Sequence, residues 1–162
     1  MKELIKNVYK YYYPEDFKIP IIVPKSNREK LLDLAYSVLN TDPTPKDEQP
    51  DEFACVHSLT TILRMQLTDF PIMVYTPILL GYLKEDKRFK ASNEFKAGSI
   101  IISPTNTGNG SIVGHTGIIG RNGEILSNSS ATGLWSNKYT IPSWIERYSR
   151  QGRLSLYIFE LI

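Results

Sequence analysis

Cys55 and His115 are the residues of this chain whose types most directly suggest covalent chemistry. Cys55 is the one cysteine, and His115 is one of two histidines. A thiolate attacks amide carbonyls, and an imidazole within reach can take the thiol proton. A lone cysteine is also often a small buried core residue. The surrounding sequence must therefore distinguish a nucleophile from an inert thiol.

The stretch DEFACVHSLTTIL, from Asp51 to Leu63, predicts a helix whose first turn contains Cys55. From Phe53 to about Leu67, apolar residues recur at helical spacing. Acidic residues precede the helix, where its dipole favours negative charge. Unpaired backbone N–H groups of a first turn face the sulfur and lower the pKa of a thiol. From the helix alone, a nucleophile and a core thiol are equally good interpretations.

The two histidines differ in how they could serve Cys55. His57 is two residues away, about 200° round a helix, so its imidazole points elsewhere and a surface or packing role is expected. His115 lies in the β-type run GSIVGHTGIIG, where flanking glycines leave room beside the ring for another chain segment. His115 is therefore the predicted base.

A hairpin predicts the partner of His115. Asn122-Gly123 separates two β-type runs, and this dipeptide favours a two-residue hairpin loop. In that register Ser130 lies directly opposite His115, and Asn128 is its diagonal neighbour on the same face. Asn128 is the predicted third residue of a Cys–His–Asn triad, with Ser130 as the competing candidate.

The elements that must position these residues fall into two groups. Helical patterns come first, from Ser26 to Leu39 with a capping box to Glu29, and in TPILLGYLKED with Thr76 as cap. After Lys90, β-type runs occupy 99–103, 111–120, 124–128 and 154–162, with a short helix expected where Ser143 begins a second capping box. Helices followed by an antiparallel sheet predict an α+β fold.

Composition excludes several classes of protein. The length of 162 residues suits one domain, with residues 1–50 as an N-terminal helical and extended subregion and residues 51–162 as a catalytic core. A net charge of +2 without a basic stripe argues against nucleic-acid binding. No apolar run reaches the ~18 residues of a membrane span, and the charged start lacks the apolar segment of a signal peptide. A monomer is expected.

The order of these motifs resembles papain-like cell-wall hydrolases, specifically the CHAP amidases and peptidases and their NlpC-type relatives. After the helix cysteine come AGSIIIS and GHTGIIG, similar to the Gly-Asp-hydrophobic and Gly-His-hydrophobic-Gly strands of those families. Their order of cysteine, histidine and polar third residue matches Cys55, His115 and Asn128. The resemblance covers roughly residues 50–130 and implies a papain-like fold, with the nucleophile helix packed on an antiparallel sheet.

This resemblance implies a cysteine peptidase or amidase that hydrolyses amide bonds, with bacterial peptidoglycan or a peptide as substrate and no cofactor. Gln49, six residues before Cys55, has the spacing of the oxyanion glutamine in papain-type peptidases, and a tyrosine of the N-terminal part is the other option. The backbone N–H of Cys55 is a further expected donor. Since no signal peptide is recognised, cytoplasmic synthesis is expected, with action at the cell wall if the protein is encoded by a phage or a mobile element.

Three other interpretations compete with a wall hydrolase. Cys55, His57 and His115 are too few and too poorly spaced for a structural zinc site, so no metal is expected. A papain-like domain could instead carry out deamidation or acyl transfer on a protein with the same residues. A non-catalytic binding module would use Trp135, Trp144 and the tyrosines as a ligand surface, although tryptophans more often pack in a core.

Overall fold

A computed structural model of the chain describes residues 24–44, 54–106 and 113–162. Four α-helices lie within these ranges: α1 (Asn27–Ser37), α2 (Ala54–Gln66), α3 (Thr76–Glu85) and α4 (Ile141–Trp144), the last continued by a π-helix (Ile145–Gln151). The strands are β1 (Phe89–Ser92), β2 (Ile100–Ser103), β3 (His115–Ile119), β4 (Glu124–Asn128), β5 (Trp135–Thr140) and β6 (Tyr157–Leu161). The predicted start over residues 1–23 lies outside the described residues, as does Gln49.

The six strands form one antiparallel sheet in the order β1-β6-β2-β3-β4-β5. The predicted α+β class with an antiparallel sheet is therefore confirmed. Strand β2 is apolar at consecutive positions because both faces of the sheet are covered. Ile100 and Ile102 pack beneath α1–α3, whereas Ile101 packs beneath α4 and the π-helix.

Helix α2 lies across the centre of the sheet, against β3 and β4. It is buried on most of its circumference, as expected of a helix covered on both sides. Helix α1 packs along α2, and its predicted capping box is present: the Ser26 backbone N–H donates to the Glu29 carboxylate at 2.8 Å.

Two predicted helix starts are wrong by a few residues. Helix α3 begins at Thr76 itself, because Tyr75 takes the cap position, and the Thr76 hydroxyl is within 3.1 Å of the Thr105 hydroxyl. Helix α4 begins at Ile141, since Thr140 is its cap and Ser143 is the third helical residue of that capping box.

The predicted two-residue hairpin loop between β3 and β4 is also wrong. The Gly120 N–H donates to the Glu124 carbonyl at 2.7 Å, which leaves three residues in the loop. The third loop residue, Gly123, has φ +80°, as in a type I turn followed by a bulge. Strand partners become Ile118 with Leu126 and Ile119 with Ile125, a shift of one residue.

A shift of one residue exchanges the two faces of a strand. Continued along β4, the observed register sets Asn128 opposite Thr116 and Ser127 opposite Gly117. A Cβ on Gly117 would lie 3.0 Å from the Cβ of Ser127, in agreement with this pairing. Ser127 therefore shares the face of His115, whereas Asn128 faces α2.

Candidate active site

Cys55 is the second residue of α2 and is 7% exposed. The backbone N–H groups of Thr116, Val56 and Cys55 itself are the polar groups near its sulfur that favour the thiolate. These donors lower the thiol pKa, but burial has the larger effect and raises it to about 11. The expected low-pKa thiolate is therefore not what this structure holds: desolvation outweighs the helix N-terminus, and Cys55 is a neutral thiol.

His115 is the first residue of β3, and its ring lies among three aromatic side chains. The centroid of its imidazole is 5.3 Å from that of Trp144 and 5.6 Å from that of Tyr148, with both pairs stacked. Tyr139 meets the ring edge to face at 5.8 Å. These three rings fix the plane of the imidazole.

Burial lowers the pKa of His115 to about 4, and the nearby positive charges of Arg147 and Lys138 contribute in the same direction. The imidazole is therefore neutral at pH 7. Among the described residues, its Nε2 is buried without a hydrogen-bond partner.

One cavity of about 70 Å³ brings the predicted residues together. Cys55 and His115 both line it, and so do Asn128 and Ser130. His57 does not belong to this lining and is 2% exposed within α2, as expected of a packing residue rather than a base.

Asn128 lines the cavity and contacts α2. Its Oδ1 accepts a hydrogen bond of 3.3 Å from the Ser58 hydroxyl on α2, because the hairpin register turns Asn128 toward that helix. Ser127 lies instead on the face of His115, and its Oγ is buried without a partner in the described part of the chain.

Sequence reasoning missed the residues that surround His115. Tyr139 and Lys138 come from β5, a strand that was not predicted, and Trp144, Arg147 and Tyr148 come from α4 and the π-helix. Trp144 and Tyr148 are four residues apart, a spacing that places two side chains on one helical face. That spacing was a usable signal, but nothing in it pointed to His115.

A second cavity of about 180 Å³ adjoins the first. Cys55, Val113 and Gly114 line both. The remaining lining residues come from α2, from the start of α3 with the segment before it, and from the segment after β2: Val56, Val74, Tyr75, Thr76 and Thr105. Cys55 thus lies at the junction of two cavities.

Both tryptophans are core residues. Trp135 and Trp144 are 0% exposed, and their indole N–H groups donate to the Ala35 carbonyl at 3.0 Å and to the Ser103 hydroxyl at 3.1 Å. A binding module that used them as a ligand surface is therefore inconsistent with their burial.

In 24–44, 54–106 and 113–162, no group of three or more His, Cys, Asp or Glu side chains could hold a metal ion. No helix within those same ranges is long and apolar enough to cross a bilayer.

Comparison of the chain with family models, with curated proteins and with solved structures gave no match. The function must accordingly be inferred from the residues around Cys55.

Proposed function

We propose that the chain is a cysteine hydrolase of amide bonds, with Cys55 as nucleophile and His115 as base. The observation that carries this proposal is that the thiol and the imidazole line one cavity. Backbone N–H groups of Cys55, Val56 and Thr116 lower the pKa of the thiol. A nucleophile, a base and preorganised donors in one cavity are what acyl transfer requires.

The reaction begins with both groups neutral. His115 takes the Cys55 proton as the sulfur attacks the amide carbonyl, and a backbone N–H at the start of α2 stabilises the oxyanion. The C–N bond then breaks, the imidazolium returns its proton to the leaving amine, and a thioester remains on Cys55. Water, deprotonated by His115, releases the acid.

Both groups start neutral, and pKa values of about 11 for Cys55 and about 4 for His115 make this proton transfer uphill in the resting site. An imidazole with a pKa of about 4 is unprotonated at pH 7 and can accept a proton. A substrate that fills the cavity displaces water and brings its own charges next to Cys55 and His115. Both changes shift the two pKa values and so decide how readily the proton moves from the sulfur to the imidazole.

Peptidoglycan is the proposed substrate, and the papain-like group is the proposed family. The motif order of Cys55 and GHTGIIG supports both, as does a nucleophile helix packed on an antiparallel sheet. Asn128 and Ser130 line the cavity and remain the predicted candidates for the third residue.

The test is mass spectrometry of muropeptides after digestion of purified peptidoglycan. Wild type should release new termini, whereas Cys55→Ala and His115→Gln should lose at least about 100-fold in rate because general base and nucleophile are removed. His57→Gln is the matched control, since His57 lies on the same helix as Cys55 but outside the cavity lining.

Thermal melting must accompany each variant, because His57 and Cys55 are both buried. Folded His57→Gln should cleave at the wild-type rate. Identical muropeptide profiles for wild type and folded Cys55→Ala would show that the chain does not hydrolyse peptidoglycan through this thiol.

A further inference from the structure

We propose that Cys55 lies between two substrate subsites, an apolar one for the acyl component of the amide and a cationic one for a carboxylate on the amine component. This inference rests on the proposed function and specifies its substrate class. The substrate would be an amide formed between an acyl group with a hydrocarbon side chain and an amine that carries a free carboxylate.

The two cavities beside Cys55 have opposite chemistry. The larger is lined by hydrocarbon groups, among which Val74 and Val113 are 43% and 55% exposed and so reachable from solvent. The smaller has polar walls and is lined by two cations, Lys138 and Arg147. Because Cys55 lines both, one extended substrate could reach across the sulfur into each.

The cations of the smaller cavity are available to an anion. Lys138 and Arg147 are both exposed, and no carboxylate pairs with either among the described residues. Glu146, the acidic neighbour of Arg147 in sequence, pairs instead with Arg150 at 3.2 Å. Asn128, Ser129 and Ser130 add hydrogen-bonding groups to the same wall, which suits a carboxylate.

The position of His115 sets the direction in which the substrate lies. The imidazolium must deliver its proton to the leaving amine, so the amine component lies on the His115 side. That side is the cavity of Lys138 and Arg147. The acyl component therefore extends to the other side, over Val74 and Tyr75.

The cationic subsite can be tested by alkylation, because the chain contains one cysteine. Rates of Cys55 modification by iodoacetate and by iodoacetamide are measured at pH 8.5 and low salt, each relative to free cysteine. The anionic reagent should be favoured in wild type. Lys138→Gln with Arg147→Gln should lower the iodoacetate-to-iodoacetamide ratio about fivefold, because two charges near the sulfur are removed.

Lys90→Gln is the matched control, since Lys90 is exposed on β1, at the edge of the sheet opposite to β5. Its ratio should equal that of wild type. An unchanged ratio in the double variant, or no alkylation by either reagent, would overturn the cationic subsite.

The apolar subsite is tested with N-benzyl-iodoacetamide against iodoacetamide. Wild type should favour the benzyl reagent, and Val74→Ser should reduce that preference about threefold because hydrocarbon contact is lost. Ile162→Ser is the control, since Ile162 is 62% exposed and lies outside the cavity lining, and it should leave the preference for the benzyl reagent unchanged. Equal rates for the two reagents in wild type would overturn this subsite.

Neither alkylation experiment depends on hydrolysis. Reagent preferences that hold while peptidoglycan stays intact would support the subsites and reject the proposed wall hydrolase. Cleaved peptidoglycan without reagent preferences would support the hydrolase and reject the subsites.

Discussion

At the scale of single residues, burial decides the chemical state of Cys55. Backbone N–H groups of Cys55 and Val56 in the first turn of α2, together with that of Thr116 on β3, lower the thiol pKa, yet burial raises it to about 11. The sequence showed the helix position but not the depth at which α2 lies. Depth depends on the packing of α1 and the sheet around it, which no local pattern encodes.

The pH dependence of Cys55 alkylation checks this state. With a thiol pKa near 11, the iodoacetamide rate should be very low at pH 6 and rise about tenfold per pH unit to pH 10, because the thiolate is the reactive form. The rate is measured by mass spectrometry with free cysteine as reference. A plateau below pH 7 would contradict the neutral thiol and indicate a thiolate–imidazolium pair in solution.

At the scale of elements, a strand could be predicted where turn-forming residues mark both of its ends. Strand β4 was predicted at its observed bounds because glycine precedes it and polar residues follow it. Edge strands β1 and β5 were missed because exposed polar residues interrupt their apolar pattern. Because β5 was missed, Lys138 and Tyr139 were absent from the predicted site.

The hairpin shows why the faces of β4 could not be predicted from its elements. Asn122-Gly123 did mark a turn, but a two-residue and a three-residue loop both accept glycine at its last position. One residue of difference turned Asn128 to Ser58 and placed Ser127 on the face of His115. The polar residues of β4 could be recognised in the sequence, whereas the face of the sheet on which each one lies could not.

Gly114 holds the start of β3 close to the end of β2, and its replacement should disturb that position. A Cβ there would lie 2.2 Å from the Thr105 backbone nitrogen and 2.4 Å from the Ser103 carbonyl oxygen. Gly114→Ala should therefore destabilise the fold by about 1–3 kcal/mol, because backbone atoms must move. Urea denaturation at pH 7 measures the change.

Gly81→Ala provides the control for Gly114→Ala. Gly81 lies within α3, and an added Cβ would meet no atom within 4 Å. It should leave stability unchanged or raise it by about 0.5–1 kcal/mol, since alanine favours a helix. Equal free energies of unfolding for Gly114→Ala and wild type would show that β2 and β3 need not approach so closely.

At the scale of the whole molecule, the sheet separates the two groups on which the proposed chemistry depends. Cys55 belongs to the core under α1–α3, while the ring of His115 lies among aromatic residues on the face of α4 and the π-helix. Both line the cavity beside the start of β3. The site therefore lies between the helices on one face of the sheet and α4 with the π-helix on the other. Because His115 is buried there, the charge of its imidazole affects the stability of the fold.

The stability of the chain should consequently depend on pH through His115. The folded pKa of about 4 lies below the ordinary value of 6.5, so the folded state disfavours the proton that the unfolded state accepts. Stability from this group is complete above pH 6.5 and is lost as pH falls to 4, by up to about 3 kcal/mol. Lys138, Arg147 and the surrounding aromatic rings are the groups that face the imidazole.

Urea denaturation between pH 7 and pH 4 measures this loss in wild type and in two variants that stay neutral, His115→Gln and His115→Phe. Both variants should show a flatter pH dependence than wild type. Carboxylates with lowered pKa values, such as Asp86 beside Arg88, lose their contribution mainly below pH 4 in all three proteins. The difference between wild type and variant therefore isolates the imidazole. Parallel curves over this range would mean that His115 is solvated in solution and free to titrate normally.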